Sequence, residues 1–311
     1  MALRCPVRVV AVFNPSSGTG HARRVAILYA DHLRSRGFRV DLCHSHGTAC
    51  RDSTPFADAA PHLLQDDVVL VAGGDGTVHR LLPTIVDSGA ALCQLPAGTE
   101  NLFSREFGAP RSPESVERAL CLGTRRRVDL GDLAGTPFAL MASIGPDAGV
   151  IRRLDAGRAG PISHLSYFKP ILREFLDPSL PLLSVSAQGQ PWITARRGML
   201  VIANSRHYAW RLDPCRLADP ADGQLDAVFL PGDTAPDMAR WALVYLMTNP
   251  AAIPRGALCR RAVHFSIQNH TAPSTSSWQA DGEVALNATQ HDQRLVQVGV
   301  AEYKLLLLVC S

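Results

Sequence analysis

Lysine is nearly missing from this 311-residue chain, where Lys169 and Lys304 are the only two among 31 basic residues. Arginine therefore carries almost all positive charge, and phosphate-binding motifs that need an early lysine are excluded. No Gly-Lys pair occurs, which removes the P-loop pattern G-x-x-x-x-G-K. No lysine precedes position 169, which removes the strand lysine of a protein kinase. No apolar run approaches the ~20 residues that span a bilayer, and LLLLVC near the end reads as a core strand. The eight cysteines lack paired spacing, and the start MALRCPVRVVAV has arginines inside its apolar run, unlike a signal peptide. A reducing cytoplasm is the expected setting, so the sequons at Asn269 and Asn287 carry no meaning. The net charge of +3 is too small to argue for nucleic acid. There is no repeat and no low-complexity tract.

What is present centres on residues 68–77, VVLVAGGDGT. An apolar run feeds into a glycine turn, and VHRLLPTIVDSG behind it has helical periodicity. Such a turn lets backbone approach an anion, and the helix N-terminus offers it free N–H groups. An acid inside it, Asp75, would repel phosphate unless a metal or a reacting hydroxyl lies between them.

Similar turns follow the other early strands. VRVVAVF (7–13) leads into Asn14-Pro15-Ser16-Ser17-Gly18-Thr19-Gly20, and ALCQLP (91–96) leads into Ala97-Gly98-Thr99-Glu100-Asn101. Helical segments HARRVAILYADHLRSRG, FADAAPHLLQ and NLFSREFG separate the strands, which predicts a parallel sheet with loops gathered at the strand C-termini. One glycine turn after a strand is an ordinary connection. Several with the same chemistry predict a polar crevice for a polyphosphate, supplied by hydroxyls of Ser16, Ser17, Thr19, Thr77 and Thr99 and the Asn14 amide.

The texture changes around Arg125–Asp132. Strand-like runs then dominate: LLSVSAQ, WITARRGMLVIANS, LDAVFLPG, RAVHFSIQ, WQADGEVAL and RLVQVGVAEYKLLLLVC, interrupted by helices near Ile162–Phe175 and Ala235–Met247. The expected architecture is an α/β N-terminal nucleotide-binding domain (1–127, with a tail at about 303–311 returning to it) and a mainly antiparallel β C-terminal domain (128–302).

NPSSGTG, GGDGT and LPAGTEN, in this order, resemble the catalytic domain of the diacylglycerol kinase family, which includes bacterial lipid kinases and sphingosine and ceramide kinases. The family's S-x-G-x-D-A element appears as Ser143-Ile144-Gly145-Pro146-Asp147-Ala148. Asn204, Pro220 and Asp222-Gly223-Gln224-Leu225-Asp226 match its N…P…DG-x-LD element, and Asp281-Gly282-Glu283 its late DGE. The resemblance spans nearly the whole chain.

It implies an ATP- and Mg2+-dependent kinase acting on a lipid hydroxyl in a cleft between domains, with the lipid presented at a membrane surface to a cytoplasmic, peripherally bound protein. Nucleotide would contact Asn14, Ser16, Gly18, Thr48, Gly73, Gly74, Asp75, Gly76, Thr77 and Thr99. Glu283 would be the general base, and Asp75 would orient the acceptor hydroxyl or hold the catalytic magnesium. A second, structural magnesium would fall on Asp219, Asp222 and the backbone of Gln224. An NAD kinase or phosphofructokinase-like enzyme shares GGDGT, but the PAGTEN, DG-x-LD and DGE elements favour lipid. A non-catalytic nucleotide sensor is the other alternative, and intact Asp75 and Glu283 argue against it.

The chain departs from the pattern at His79, at NLFSREFG, and at Arg206-His207-Tyr208-Ala209-Trp210, where a glycine-rich stretch is usual. The Trp210 loop bears on which lipid is accepted. Cys43-His44 with His46 and Cys50 lacks a second cluster to complete a zinc tetrahedron, and strand alternation separates its first two members. Arg125-Arg126-Arg127 reads as a solvated inter-domain linker. HLSYFKPILREF mixes apolar and basic residues, as a core-packed or a membrane-surface helix would.

Overall fold

The computed structural model describes residues 7–45, 53–156, 174, 180–208, 212–248, 252–271, 277–286 and 295–310. The chain changes from one folding unit to another at Val128/Asp129 and changes back at Glu302/Tyr303. Thr48, Trp210 and nearly all of the 162–175 segment lie outside the described residues.

In the first unit, elements alternate as the apolar runs require. They are β1 (Arg8–Phe13), α1 (His21–Ser35), β2 (Arg39–His44), β3 (Thr54–Pro55), α2 (Phe56–Ala59), β4 (Val68–Gly73), α3 (Asp75–Ser88), β5 (Ala91–Pro96), α4 (Leu102–Phe107), α5 (Pro113–Leu122) and β6 (Arg125–Val128). The final strand, β18 (Leu305–Leu308), completes a sheet of order β3-β2-β1-β4-β5-β18-β6. All its neighbours run parallel except β6, which is antiparallel to β18.

Every residue of β4 is buried, as a strand covered on both faces must be. Val9, Ala11, Phe13, Leu70, Ala72 and Cys93 share a core with residues of α1 and α5. Val10, Val12, Val69, Val71 and Leu92, which alternate with them, are equally buried. Helix α5 was not visible as a periodic run, yet it carries a capping box between Ser112 and Ser115, with Pro113 in its first turn. The arginines expected in a linker lie instead in β6, where Arg125 donates to the carbonyls of Gln65 (3.3 Å) and Asp66 (2.7 Å).

The second unit holds β7 (Gly131–Leu133), β8 (Thr136–Phe138), β9 (Met141–Ile144), α6 (Pro146–Ala156), β10 (Leu182–Ala187), β11 (Gln190–Ala203), β12 (Leu225–Pro231), α7 (Ala235–Met247), β13 (Leu258–Ala262), β14 (His264–Asn269), β15 (Trp278–Ala280), β16 (Glu283–Leu286) and β17 (Leu295–Val300). Its pairings are antiparallel throughout, in the order β16-β15-β9-β11-β10-β14-β17-β7-β8, with β12 and β13 branching from β11. The 14-residue β11 serves two groups of strands: its first half pairs with β10 and its second half with β9 and β12. Phe138, Ile144, Leu200, Phe229, Phe265 and Trp278 fill the core.

Two strand-like runs are broken: RAVHFSIQ divides between β13 and β14, and WQADGEVAL folds back at Asp281-Gly282. The last run supplies β17 to this unit and, from Tyr303 onward, the tail with β18 to the first. Helix α6, which carries Asp147, is a further element that sequence periodicity did not show.

β18 sits between β5 and β6, and Leu305 is fully buried. Leu305→Ala is expected to cost about 2–5 kcal/mol in denaturant unfolding, as for a large-to-small core change. A cost within error of zero would contradict this placement of the strand.

Candidate functional site: three turns at the sheet's switch point

β1 pairs with β2 on one side and β4 on the other, so the chain travels outward to β3 and then returns to β4. Connections leave β1 and β4 in opposite directions. Ligands of open α/β sheets bind at such a point. The turns after β1, β4 and β5 lie at three adjacent strand ends.

Specific bonds fasten these turns together. The Asn14 side-chain amide donates to Thr77 Oγ1 (3.1 Å), and Asn14 Oδ1 accepts the Ser16 N–H (2.8 Å), closing an Asx turn. Thr77 is itself buried in the first turn of α3. The Gly73 carbonyl accepts from Ala97 N–H (3.1 Å) and from the buried Gln94 amide (3.1 Å), and Ser104 Oγ of α4 donates to Gln94 Oε1 (2.6 Å). In the third turn Asn101 exchanges two hydrogen bonds of 2.9 Å with the Gly98 backbone.

Asp75 has the most informative position. Its Oδ2 accepts the Leu102 N–H and its Oδ1 the Phe103 N–H, both at 2.9 Å. The carboxylate is thus a cap, delivered from another element, for the two opening N–H groups of α4, where the helix dipole favours negative charge. Much of its charge is engaged by backbone donors.

The glycines also have an internal reason. A Cβ on Gly74 would lie 3.0 Å from the Gly98 Cα, and one on Gly98 would overlap the Gly74 Cα. Two backbones meet where side chains would hold them apart.

Of the residues expected at the nucleotide, Asn14, Gly73, Gly74, Asp75, Gly76, Thr77 and Thr99 therefore lie on turns that are bonded or packed together. Ser16 and Thr99 are exposed, and Gly18 lies in a short 3-10 turn at Ser17–Gly20. The bonding residues Gln94 and Ser104 escaped sequence reasoning, because a buried amide in a strand and a hydroxyl on a helix have no local signature; Asn101 was read only as part of the turn.

The second unit holds the DGE element as a hairpin turn. Asp281 (φ 49°) and Gly282 (φ 85°) are both left-handed, the pair of conformations a tight two-residue hairpin needs, and Ala280 pairs with Glu283 across it. The buried Asp281 carboxylate accepts from the N–H groups of Ala139 (2.8 Å), Leu140 (2.8 Å) and Met141 (3.0 Å). Gly282 N–H donates to Gln279 Oε1 (2.8 Å). Glu283 begins β16 on this fixed turn and is half-buried. From the other side, the Asn204 amide donates to the carbonyls of Asp129 (2.8 Å) and Ala139 (2.9 Å).

Asp147 of α6 is enclosed. Its carboxylate accepts from Tyr208 Oη (2.6 Å), Ala148 N–H (2.7 Å), Gln279 Nε2 (3.4 Å) and Ser143 Oγ. Burial pushes the carboxyl above its usual range, against the pull of those donors. Burial and the neighbouring Asp147 likewise push the Tyr208 phenol well up.

The loop expected to hold a structural magnesium is tied to Asp129, whose N–H donates to the Pro220 carbonyl (2.7 Å) and whose Oδ2 accepts the Gly223 N–H (2.8 Å). Asp219 Oδ1 accepts the Ala221 N–H (3.0 Å), and Asp222 Oδ1 accepts the Gln224 N–H (3.0 Å). Asp222 Oδ2 is 3.4 Å from a guanidinium nitrogen of Arg261. Asp219, Asp222 and Gln224 in this arrangement do not fit a divalent ion, because a cationic side chain already faces the carboxylate. Among the described residues, no group of three or more His, Cys, Asp or Glu is disposed to hold a metal.

Comparison with known proteins agrees with the geometry. The diacylglycerol kinase catalytic domain pattern matches residues 8–133. A diacylglycerol kinase of Mycobacterium tuberculosis (strain CDC 1551 / Oshkosh) is 31% identical over 241 residues, 75% of this chain and 76% of that one. One from Bacillus subtilis (strain 168) is 27% identical over 143 residues, 44% of this chain and 46% of that one. A crystal structure of a diacylglycerol kinase from Bacillus anthracis str. Sterne has the same fold, with a TM-score of 0.64 at 15% identity, covering 97% of this chain and 96% of that one. The chain belongs to the diacylglycerol kinase family, a family of lipid kinases.

Asp75→Asn tests the capping role apart from any activity. The amide keeps one acceptor, so one of the Leu102 and Phe103 N–H groups loses its partner. A loss of about 1–3 kcal/mol in unfolding free energy is expected. Unchanged stability would show that the cap contributes nothing to the fold.

Proposed function

We propose that the chain transfers the γ-phosphoryl group of ATP to a hydroxyl of a lipid, diacylglycerol-like or a long-chain base. The observation that carries this reading is the joining of the three turns at the switch point by Asn14–Thr77, Gly74–Gly98 and Asp75 with α4. Backbone N–H groups and hydroxyls there form the phosphate cradle, with Asn14, Ser16, Gly18, Gly73, Gly74, Gly76, Thr77 and Thr99 as its contacts. Thr48 completes the assigned set.

Phosphoryl transfer asks the protein for alignment and charge compensation more than for covalent chemistry. In the proposed reaction Glu283 accepts the proton of the acceptor hydroxyl, the hydroxyl oxygen bonds to the γ-phosphorus, and ADP leaves with the electrons of the broken bond. Glu283 is the right residue of its turn for this role, since Asp281 is fully used in holding backbone N–H groups. In this reading Asp75, held against α4 through both oxygens, orients the hydroxyl or holds a nucleotide-bound magnesium. Magnesium, when bound with ATP, supplies neutralisation of phosphate charge. The donor turns belong to the first unit and the proposed base to the second.

No helix among the described residues is long and apolar enough to cross a membrane. The proposal places the protein in the cytoplasm, acting peripherally on lipid at a membrane surface. Labelled ATP offered with a panel of lipids, and with NAD and fructose 6-phosphate as controls, separates a lipid kinase from a small-molecule kinase. No transfer to any acceptor, with ATP still bound, would favour a nucleotide sensor.

Glu283→Gln keeps size and hydrogen-bonding reach but cannot take the proton. A positioned base contributes about 10²–10⁴-fold, so kcat is expected to fall within that range while ATP affinity holds. Parental turnover in this variant would remove Glu283 from this role.

A further inference from the structure

The family resemblance calls for a structural magnesium at Asp219, Asp222 and Gln224, and the geometry of this chain disagrees. Arg261 lies on β13 directly opposite Asp226 on β12. That cross-strand register aims its fork at the loop between Leu217 and Asp226. One Arg261 nitrogen donates to the Leu217 carbonyl (3.0 Å) and to Asp226 Oδ1 (3.4 Å). Nε donates to Asp226 Oδ2 (3.2 Å), and the remaining nitrogen faces Asp222 Oδ2 (3.4 Å). A carbonyl and a carboxylate of the loop, Leu217 and Asp222, thus converge with Asp226 of β12 on a single cation. Two carboxylates and a carbonyl form the kind of oxygen set a hard divalent ion would take.

We propose that Arg261 is the cation around which the 217–226 loop is built, and that it replaces the structural magnesium expected there. The loop gains from this a charge that cannot dissociate, because a guanidinium stays protonated and is held covalently by its strand. Its planar fork satisfies several acceptors at once. A magnesium ion on Asp222 would meet a like charge across the same carboxylate, and it would also need near-octahedral oxygen ligation at about 2.0–2.1 Å. Asp129 holds the far side of the loop through Pro220 and Gly223, so neither anchor of the loop requires a metal. The inference concerns the order of the second unit and does not rest on the proposed kinase activity.

Thermal unfolding of the full chain without nucleotide, in EDTA and in millimolar magnesium chloride, tests it. The parent is expected to melt at one temperature in both. Arg261→Ala is expected to melt lower in EDTA, by a few degrees. Magnesium is expected to recover part of that drop, since the freed carboxylates and carbonyl then accept an ion. Arg261→Ala, Asp222→Ala is expected to lose this response. If Arg261→Ala fails to fold, the parent's own titration decides together with Asp222→Ala. A saturable rise in the parent's melting temperature with magnesium that Asp222→Ala abolishes would overturn the proposal. So would an Arg261→Ala chain that melts in EDTA as the parent does.

Discussion

Two backbone N–H groups at the start of α4 need an acceptor, and the carboxylate of Asp75 provides it from the start of α3. That cap joins the turn after β4 to the helix after β5. The Gly74–Gly98 approach brings the same two turns into backbone contact, and the Asn14–Thr77 bond draws in the turn after β1. Removing any one leaves an unsatisfied polar group or a steric overlap, so the turns hold one another as a set. The dependence explains why GGDGT keeps an acid beside expected phosphates: the charge is bound before any ligand arrives.

The second unit follows the same economy of carboxylates. Asp281 uses its side chain to bind consecutive N–H groups of residues 139–141, and Asn204 holds the neighbouring carbonyls. Their joint effect is a rigid left-handed turn that presents Glu283. Acidic residues in these motifs thus include some that build the turns around them, which only their hydrogen bonds reveal. Tyr208 belongs to the builders. Standing where a glycine-rich stretch is usual, it covers Asp147 with a phenol.

The parallel sheet was readable because buried strands appear as apolar runs stopped by glycine, as in VVLVAGG and ALCQLPAG. Strand order and switch point followed less directly, since nothing local says that β4 returns to the inner side of β1. The antiparallel half was read too coarsely. An Asp-Gly pair inside WQADGEVAL is a hairpin signal that the apolar pattern around it obscured. Helix α5 was signalled by Ser112-Pro113 and its capping box, although its short periodic run was not. The meeting of Gly74 with Gly98, the role of Gln94 and the register that sets Arg261 against Asp226 were beyond reach. Each depends on contacts between distant segments, which residue spacing does not encode.

The central claim is that the turns after β1, β4 and β5 together form the nucleotide site. Amide hydrogen exchange with and without a non-hydrolysable ATP analogue tests it most directly, because the proposed contacts are largely backbone N–H groups. The account predicts slower exchange at residues 14–20, 73–78 and 97–102, with little change along the edge strands β3 and β6. Tight binding of the analogue with no protection at those turns, or with protection centred on another part of either unit, would contradict it.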